Sequence, residues 1–286
     1  MHARRPLRPL RLLRPTTLTS RAMLPRVNLV KTDHADYLLF ATRDAISANL
    51  YYNGSWDASL LTISQMFYAN EEAPLVLDIG ANLGAYAVPV AKSIAAQGGM
   101  VYAFEPQRIV YYQLCGNVFL NRLENVHAFN VAIGNQDGII PLPAIDYSRS
   151  INIGGFSLDE QFNMRRNSVE TVASQQPSDV PIARLDTLNF PKSPALIKID
   201  VEGLELDVLK GGTAFLERHG FPPLLLEAWN LEWFSEKRAA LLDYLKTLGY
   251  TWFAMGDELV AQHPSFARQV SFETGTDGVI RMNRTR

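Results

Sequence analysis

The sequence predicts an α/β fold, a mostly parallel sheet with helices on both faces, from three observations. Apolar runs recur at 75–80, 100–105, 126–133, 195–200 and 224–229, the first ending at Gly80 and others carrying an acid at or near the end. Stretches with helical spacing, 84–97 and 107–122, separate the first three runs, so strand and helix alternate. Two successive βαβ units close with right-handed crossovers and make one half of a doubly wound sheet. The chain has 286 residues, 47% of them hydrophobic, which suffices for one large core without a second domain.

The elements follow in order. Residues 1–31 carry Arg4, Arg5, Arg8, Arg11, Arg14, Arg21, Arg26 and Lys31 and no acid. We read 1–32 as a disordered basic leader. Its Arg, Ser and Thr content resembles an organellar transit peptide, but Pro6, Pro9 and Pro15 interrupt any helix, so a cytoplasmic location is expected. One domain spans 33–286. Residues 33–56 read as an irregular lead-in with a strand near 37–41 and a turn at Asn53–Gly54. Leu60, Leu61, Ile63, Met66 and Phe67 recur at helical spacing, which predicts a helix over 57–69. The half that would bind a cofactor covers 57–135, with helix 84–97 bent at Pro89 and stopped by Gly98–Gly99. Residues 136–183 break the rhythm with Pro141, Pro143 and Gly154–Gly155, and read as an inserted lid over a substrate. The C-terminal half, 184–286, resumes with strand 195–200, a helix ending at Gly211–Gly212, strand 224–229, a helix over 231–248 and two late strands.

Composition excludes some functions. The net charge is −2, so the body beyond the +8 leader carries −10, and an acidic body is a poor nucleic-acid groove. No apolar run reaches the length needed to span a membrane. The single cysteine, Cys115, forms no internal disulfide and reads as a small core residue.

Ligands of open parallel sheets bind beyond the carboxyl ends of the strands. Those ends carry Asp78–Gly80, Glu105, Asn130–Ala132, Asp200–Glu202 and Glu227. Burying so many acids without partners would be expensive, and a wet acidic cleft is the simpler account. Gly80 and Gly84 bracket a loop that lets a ligand approach the backbone. A pyrophosphate fingerprint would place a glycine where Asn82 stands, and Asp78 would repel phosphates. A cationic, phosphate-free nucleoside such as S-adenosylmethionine fits better, with Glu105 accepting from its ribose hydroxyls.

The chain resembles the FkbM family of methyltransferases through VLDIGANLG (76–84), AFEP (103–106), NVAIG (130–134), RLDTL (184–188) and IKIDVEGLELDVLKGG (197–212). The resemblance implies a class I methyltransferase, Rossmann-like fold with a seven-stranded, mostly parallel sheet. It implies O-methylation of a sugar, glycoside or secondary metabolite. By position it places Asp78, Gly80, Asn82, Gly84, Glu105, Pro106 and Asp200 on S-adenosylmethionine, and Asn130 and Ala132 beside the adenine. It sets Asp200 and Glu202 near the transferred methyl.

A hydroxyl acceptor needs a base, and Asp200 is the first candidate, with Glu202 and Glu227 next. Lys198 shares the face of Asp200 and needs an acid partner, which Asp78 or Glu227 could supply. These acids are also hard oxygen donors, compatible with a divalent metal although none is indicated. His127 sits early in its strand and reads as structural. In the insert, Asn152, Gly154, Gly155 and Ser157 are candidates for acceptor contacts, and Arg149, Arg165 and Arg166 read as surface residues. The rival readings are N-methylation of an amine or amide, and a cofactor-binding partner subunit without turnover. The expected partner is a small molecule or glycan, not a nucleic acid. The oligomeric state is not legible.

Overall fold

The computed structural model describes residues 24–166, 169–173 and 175–285. Most of the predicted leader, 1–23, lies outside the described residues. The reading of 1–32 as disordered fails at its end. Strand β1 (Val27–Lys31) pairs antiparallel with β2 (Asp36–Phe40). The lead-in is also more regular than expected, because it contains helix α1 (Ala45–Asn53). Asp44 starts α1: its Oδ2 accepts from the Ser47 N–H at 2.9 Å. Gly54 ends it in the left-handed conformation. Asp57 caps α2 (Ala58–Tyr68) in the same way through the Leu60 N–H.

The alternating region follows as β3 (Leu75–Ile79), α3 (Ala87–Ile94), β4 (Met100–Phe104), α4 (Arg108–Leu120) and β5 (Val126–Phe129). Every residue of β3 is buried, as a central parallel strand requires. Pro89 lies in the first turn of α3, where a missing N–H costs nothing. The predicted strand 126–133 is two strands. Its last part, β6 (Ala132–Ile133), leaves the main sheet. The insert supplies β7 (Gly138–Leu142), α5 (Glu160–Arg166) and β8 (Ser178–Ala183), and β6, β8 and β7 form a separate three-stranded sheet.

The second half contains β9 (Leu196–Ile199), α6 (Glu205–Lys210), α7 (Thr213–Arg218), β10 (Leu224–Glu227), α8 (Ser235–Thr247), β11 (Thr251–Met255) and β12 (Glu258–Gln262). It ends in a hairpin absent from the sequence reading, β13 (Val270–Thr274) and β14 (Ile280–Arg284). This hairpin docks on α2. Arg284 donates to the carbonyls of Gln65 and Met66, and Arg268 to that of Phe67, so two arginines occupy the negative end of that helix.

The main sheet has seven strands in the order β11-β12-β10-β9-β3-β4-β5. The pairs from β10 to β5 are parallel, and β12 is antiparallel to both β10 and β11. One face packs on α6, α7 and α8 through Val208, Phe215 and Leu245, the other on α2 and α3 through Phe67 and Val90. The chain runs outward from β3 to β5, then returns to lay β9 on the other side of β3. The switch point therefore lies between β3 and β9, where open sheets of this kind form their crevice.

Candidate functional site

The crevice is narrow at its floor because the two loops touch. Gly80 has φ +84°, and a Cβ there would lie 1.7 Å from the Asp200 carbonyl oxygen. No side chain fits, so glycine is required by space as well as by conformation. The Gly80 and Ala81 N–H groups both donate to the Phe104 carbonyl, which ties the loop to β4. Asn82 is left-handed at φ 51°, a region asparagine tolerates better than most residues. Its N–H donates to Glu105 Oε2 at 2.9 Å. Glu105 Oε1 accepts from the Gln107 N–H at 2.8 Å. Glu105 is 5% exposed, and burial raises its pKa to about 7 against those two hydrogen bonds.

Beneath the loop lies an ion-paired trio. Asp78 is fully buried, with Oδ1 3.5 Å from Lys198 Nζ. The same ammonium lies 3.1 Å from Asp200 Oδ2. Burial lowers the Lys198 pKa, but Asp200 and Asp78 more than offset it and the net shift is upward. Lys198 is thus a fixed cation, not a base with a depressed pKa. Asp78 shifts upward through burial, opposed by Lys198.

At the other wall Asp200, Glu202 and Glu227 each bring an oxygen within 4.8 Å of the others. Glu202 sits at φ 54° in the turn after β9. That turn is held by Glu205, which is buried and whose Oε1 accepts from the Val201 and Gly203 N–H groups at 3.1 Å each. One oxygen of Glu202 and one of Glu227 are shut off from solvent without a hydrogen-bond partner. Burial and then the Asp200 charge push both carboxyls well above the usual range. Three acids this close repel one another when all are ionised.

One cavity joins these parts, lined by Gly80, Asn82, Glu105, Lys198, Asp200, Glu202 and Glu227 among others. Residues 78–251 match the model of the methyltransferase FkbM domain, more than half of the chain. The chain belongs to that family. The FkbM domain here is 29% identical over 160 residues to the methyltransferase SdnD of Sordaria araneosa, across 48% of this chain and 60% of that one. It is 28% identical over 120 residues to a tRNA(Phe) (4-demethylwyosine(37)-C(7)) aminocarboxypropyltransferase of Methanocaldococcus jannaschii, across 40% of this chain and 45% of that one. The chain therefore spans less than two thirds of the length of these curated relatives. Among solved structures, an FkbM methyltransferase from Methylobacillus flagellatus superposes with a TM-score of 0.43 at 18% identity, over 76% of this chain and 52% of that one.

Within the FkbM domain the predicted residues separate. Gly80, Asn82, Glu105, Pro106, Ala132, Lys198, Asp200, Glu202 and Glu227 line the cavity together, and so do Asn152 and Gly154 of the insert. Asp78 and Gly84 do not. Asp78 lies under the floor, and a Cβ on Gly84 would meet Leu114 at 2.8 Å, so this glycine lets α4 pack. Asn130 also lies outside the lining. Its Nδ2 donates to the carbonyls of Glu105 and Pro106 at 2.9 and 2.8 Å, which fixes the segment holding Glu105. Gly155 and Ser157 are buried away from the cavity, and the Ser157 backbone is clamped by Asn163. His127 is exposed on β5, packed against Tyr102.

Several lining residues escaped the sequence reading. Arg166, expected on the surface, stacks its guanidinium 3.6 Å from the Trp229 ring centroid and lines the cavity. Its charge opposes the upward shift of Glu202. Ala45, Ile46 and Trp56 close the cavity from the N-terminal segment. Gln107 lies beside Glu105, and its proximity to the AFEP segment was the one available signal. Among the described residues no helix is long and apolar enough to cross a membrane.

Proposed function

We propose that the protein is an S-adenosylmethionine-dependent O-methyltransferase acting on a hydroxyl of a sugar, glycoside or secondary metabolite. The observation that carries the reading is the joining of two unlike walls in one cavity. One wall is a glycine loop with a buried acid, suited to a nucleoside. The other is a carboxylate cluster with two raised pKa values, suited to taking a proton.

The residues present fit the cofactor. Gly80 and Asn82 line the cavity where the methionyl end would lie, the Glu105 oxygens each retain an acceptor site for a ribose hydroxyl, and Val131, Ala132 and Ile133 form an apolar flank for adenine. When bound, S-adenosylmethionine supplies a methyl group on a positively charged sulfur. The chain must then align an acceptor oxygen with that carbon and receive the hydroxyl proton. Alignment falls to Asn152 and Gly154 of the insert, with Arg166 and Trp229 beside the acids. The proton goes to Glu202 or Glu227, which burial and the Asp200 charge make more basic than an ordinary carboxylate. Asp200 is the weaker base candidate, because Lys198 already holds its Oδ2. Its role is to keep the neighbouring carboxyls basic.

The test is mass-shift screening of hydroxylated metabolites and glycans for one added methyl, followed by Glu202→Gln and Glu227→Gln. With a hydroxyl acceptor at least one variant loses about 10²–10⁴-fold in kcat with little change in cofactor affinity. Full activity of both on an amine would favour N-methylation instead. Cofactor binding without turnover on any acceptor would favour a partner subunit, and absence of binding would overturn the cofactor.

A further inference from the structure

Ile153 of the insert is held at both of its backbone polar groups by buried side chains from distant parts of the chain. Its N–H donates to Asp44 Oδ1 at 2.8 Å, across 109 positions. Its carbonyl accepts from Gln107 Nε2 at 3.0 Å, across 46 positions. The Ile153 side chain packs with Phe40, Val110 and Tyr147 in a core of its own. The residues on either side, Asn152 and Gly154, line the cavity. Gly154 lies so close to Asn82 that a Cβ would sit 1.8 Å from its Nδ2. The strap 152–154 is therefore pressed on the loop whose Asn82 N–H reaches Glu105.

Asp44 is 3% exposed, and each of its oxygens accepts one backbone N–H. Oδ2 caps α1, whose first residues Ala45 and Ile46 also line the cavity. Oδ1 holds the strap. One carboxylate thus joins the N-terminal helix to the insert, and it lies outside the residues 78–251 that match the family model. Hydrogen bonds to a carboxylate are among the stronger ones, and a buried N–H left without its acceptor is costly. Loss of the Oδ1 contact would release the strap. Only molecules with the strap in place would then present a complete cavity, and the apparent affinity would fall by that fraction. We propose that Asp44 is a positioning residue: it fixes the insert against the cofactor loop and so sets how tightly the nucleoside is held. The inference rests on the reading of the cavity as one for S-adenosylmethionine.

The experiment is calorimetric titration of the full chain with S-adenosylhomocysteine, beside thermal unfolding, for wild type, Asp44→Ser and Asp44→Ala. Serine keeps one oxygen, which caps α1, and has no second oxygen for Ile153; alanine has neither. Both variants should lose about tenfold in affinity and agree with each other within about threefold, while alanine alone unfolds at a lower temperature than serine. A serine variant that binds as wild type does overturns the proposal, and so does a loss of affinity that tracks stability from serine to alanine. Either result would mean that Asp44 acts only by capping α1. Hydrogen exchange of the wild type gives a test that needs no variant. A ligand that binds with the strap in place should slow exchange of the amides of 150–156 by at least about tenfold. Exchange unchanged by S-adenosylhomocysteine overturns the proposal even if neither variant folds. Failure of the underlying reading looks different: folded wild type that binds no S-adenosylhomocysteine removes the cofactor, whereas binding without these effects removes Asp44 alone.

Discussion

Replacing Lys198 with methionine tests the floor of the cleft. Lys198 is 7% exposed and is the one cation within reach of Asp78 among the described residues, at 3.5 Å. Asp78 has no exposed surface, and besides Lys198 the Ala87 backbone N–H favours its ionised form. Lys198→Met keeps the length of the side chain and removes the charge. Breaking a buried pair by deleting one partner costs about 3–5 kcal/mol, because the other charge is stranded. For a domain of this size that corresponds to a drop of about 6–20 °C in the midpoint of thermal unfolding. Asp78 can escape part of the cost by taking up a proton, so the loss should be larger at pH 8 than at pH 5. The double variant Lys198→Met/Asp78→Asn removes the stranded charge and should recover much of the loss. The assay is thermal and urea unfolding of all three proteins at both pH values. A single variant within about a degree of wild type would refute the argument, as would a double variant no more stable than the single one. Full turnover in the single variant would separately remove Lys198 from the mechanism.

Gly80→Ala should abolish cofactor binding and lower stability, since a Cβ 1.7 Å from the Asp200 carbonyl forces β3 and β9 loops apart; wild-type affinity by calorimetry would contradict it. The apoprotein should lose stability as pH rises from about 5 to 8. Burial lifts Glu105 and Glu205 from 4.5 to about 7 and Glu258 to about 8, so the folded state holds protons that the unfolded chain has already released. The fall is about 1.4 kcal/mol per pH unit for each of Glu105 and Glu205 between the two pKa values, and urea titrations giving a flat or rising profile would refute it. Chelation with EDTA should leave turnover unchanged, because Lys198 and Arg166 already bring positive charge to the carboxylate cluster; loss of turnover restored by magnesium would instead place a cation on Asp200, Glu202 and Glu227.

The sequence by itself determined the central sheet and the strand ends. Periods of apolar residues are local, so β3, β4, β9 and β10 and their terminal acids could be read directly, and so could Gly80, Asn82 and Glu105 as neighbours across one cleft. Asp78 was legible as a possible partner of Lys198, but neither its place below the cavity nor the support that Asn130 gives from behind was. That distinction depends on which way a side chain points after the loop turns. The tertiary structure alone decided the remainder. The departure of β6 into a second sheet, the arrival of α5 with Arg166 over Trp229, and the closure by Ile46 and Trp56 all bring together residues far apart in the chain. No local period encodes such meetings. They follow from packing the insert and the N-terminal helix onto a cleft whose own residues are fixed by the sheet.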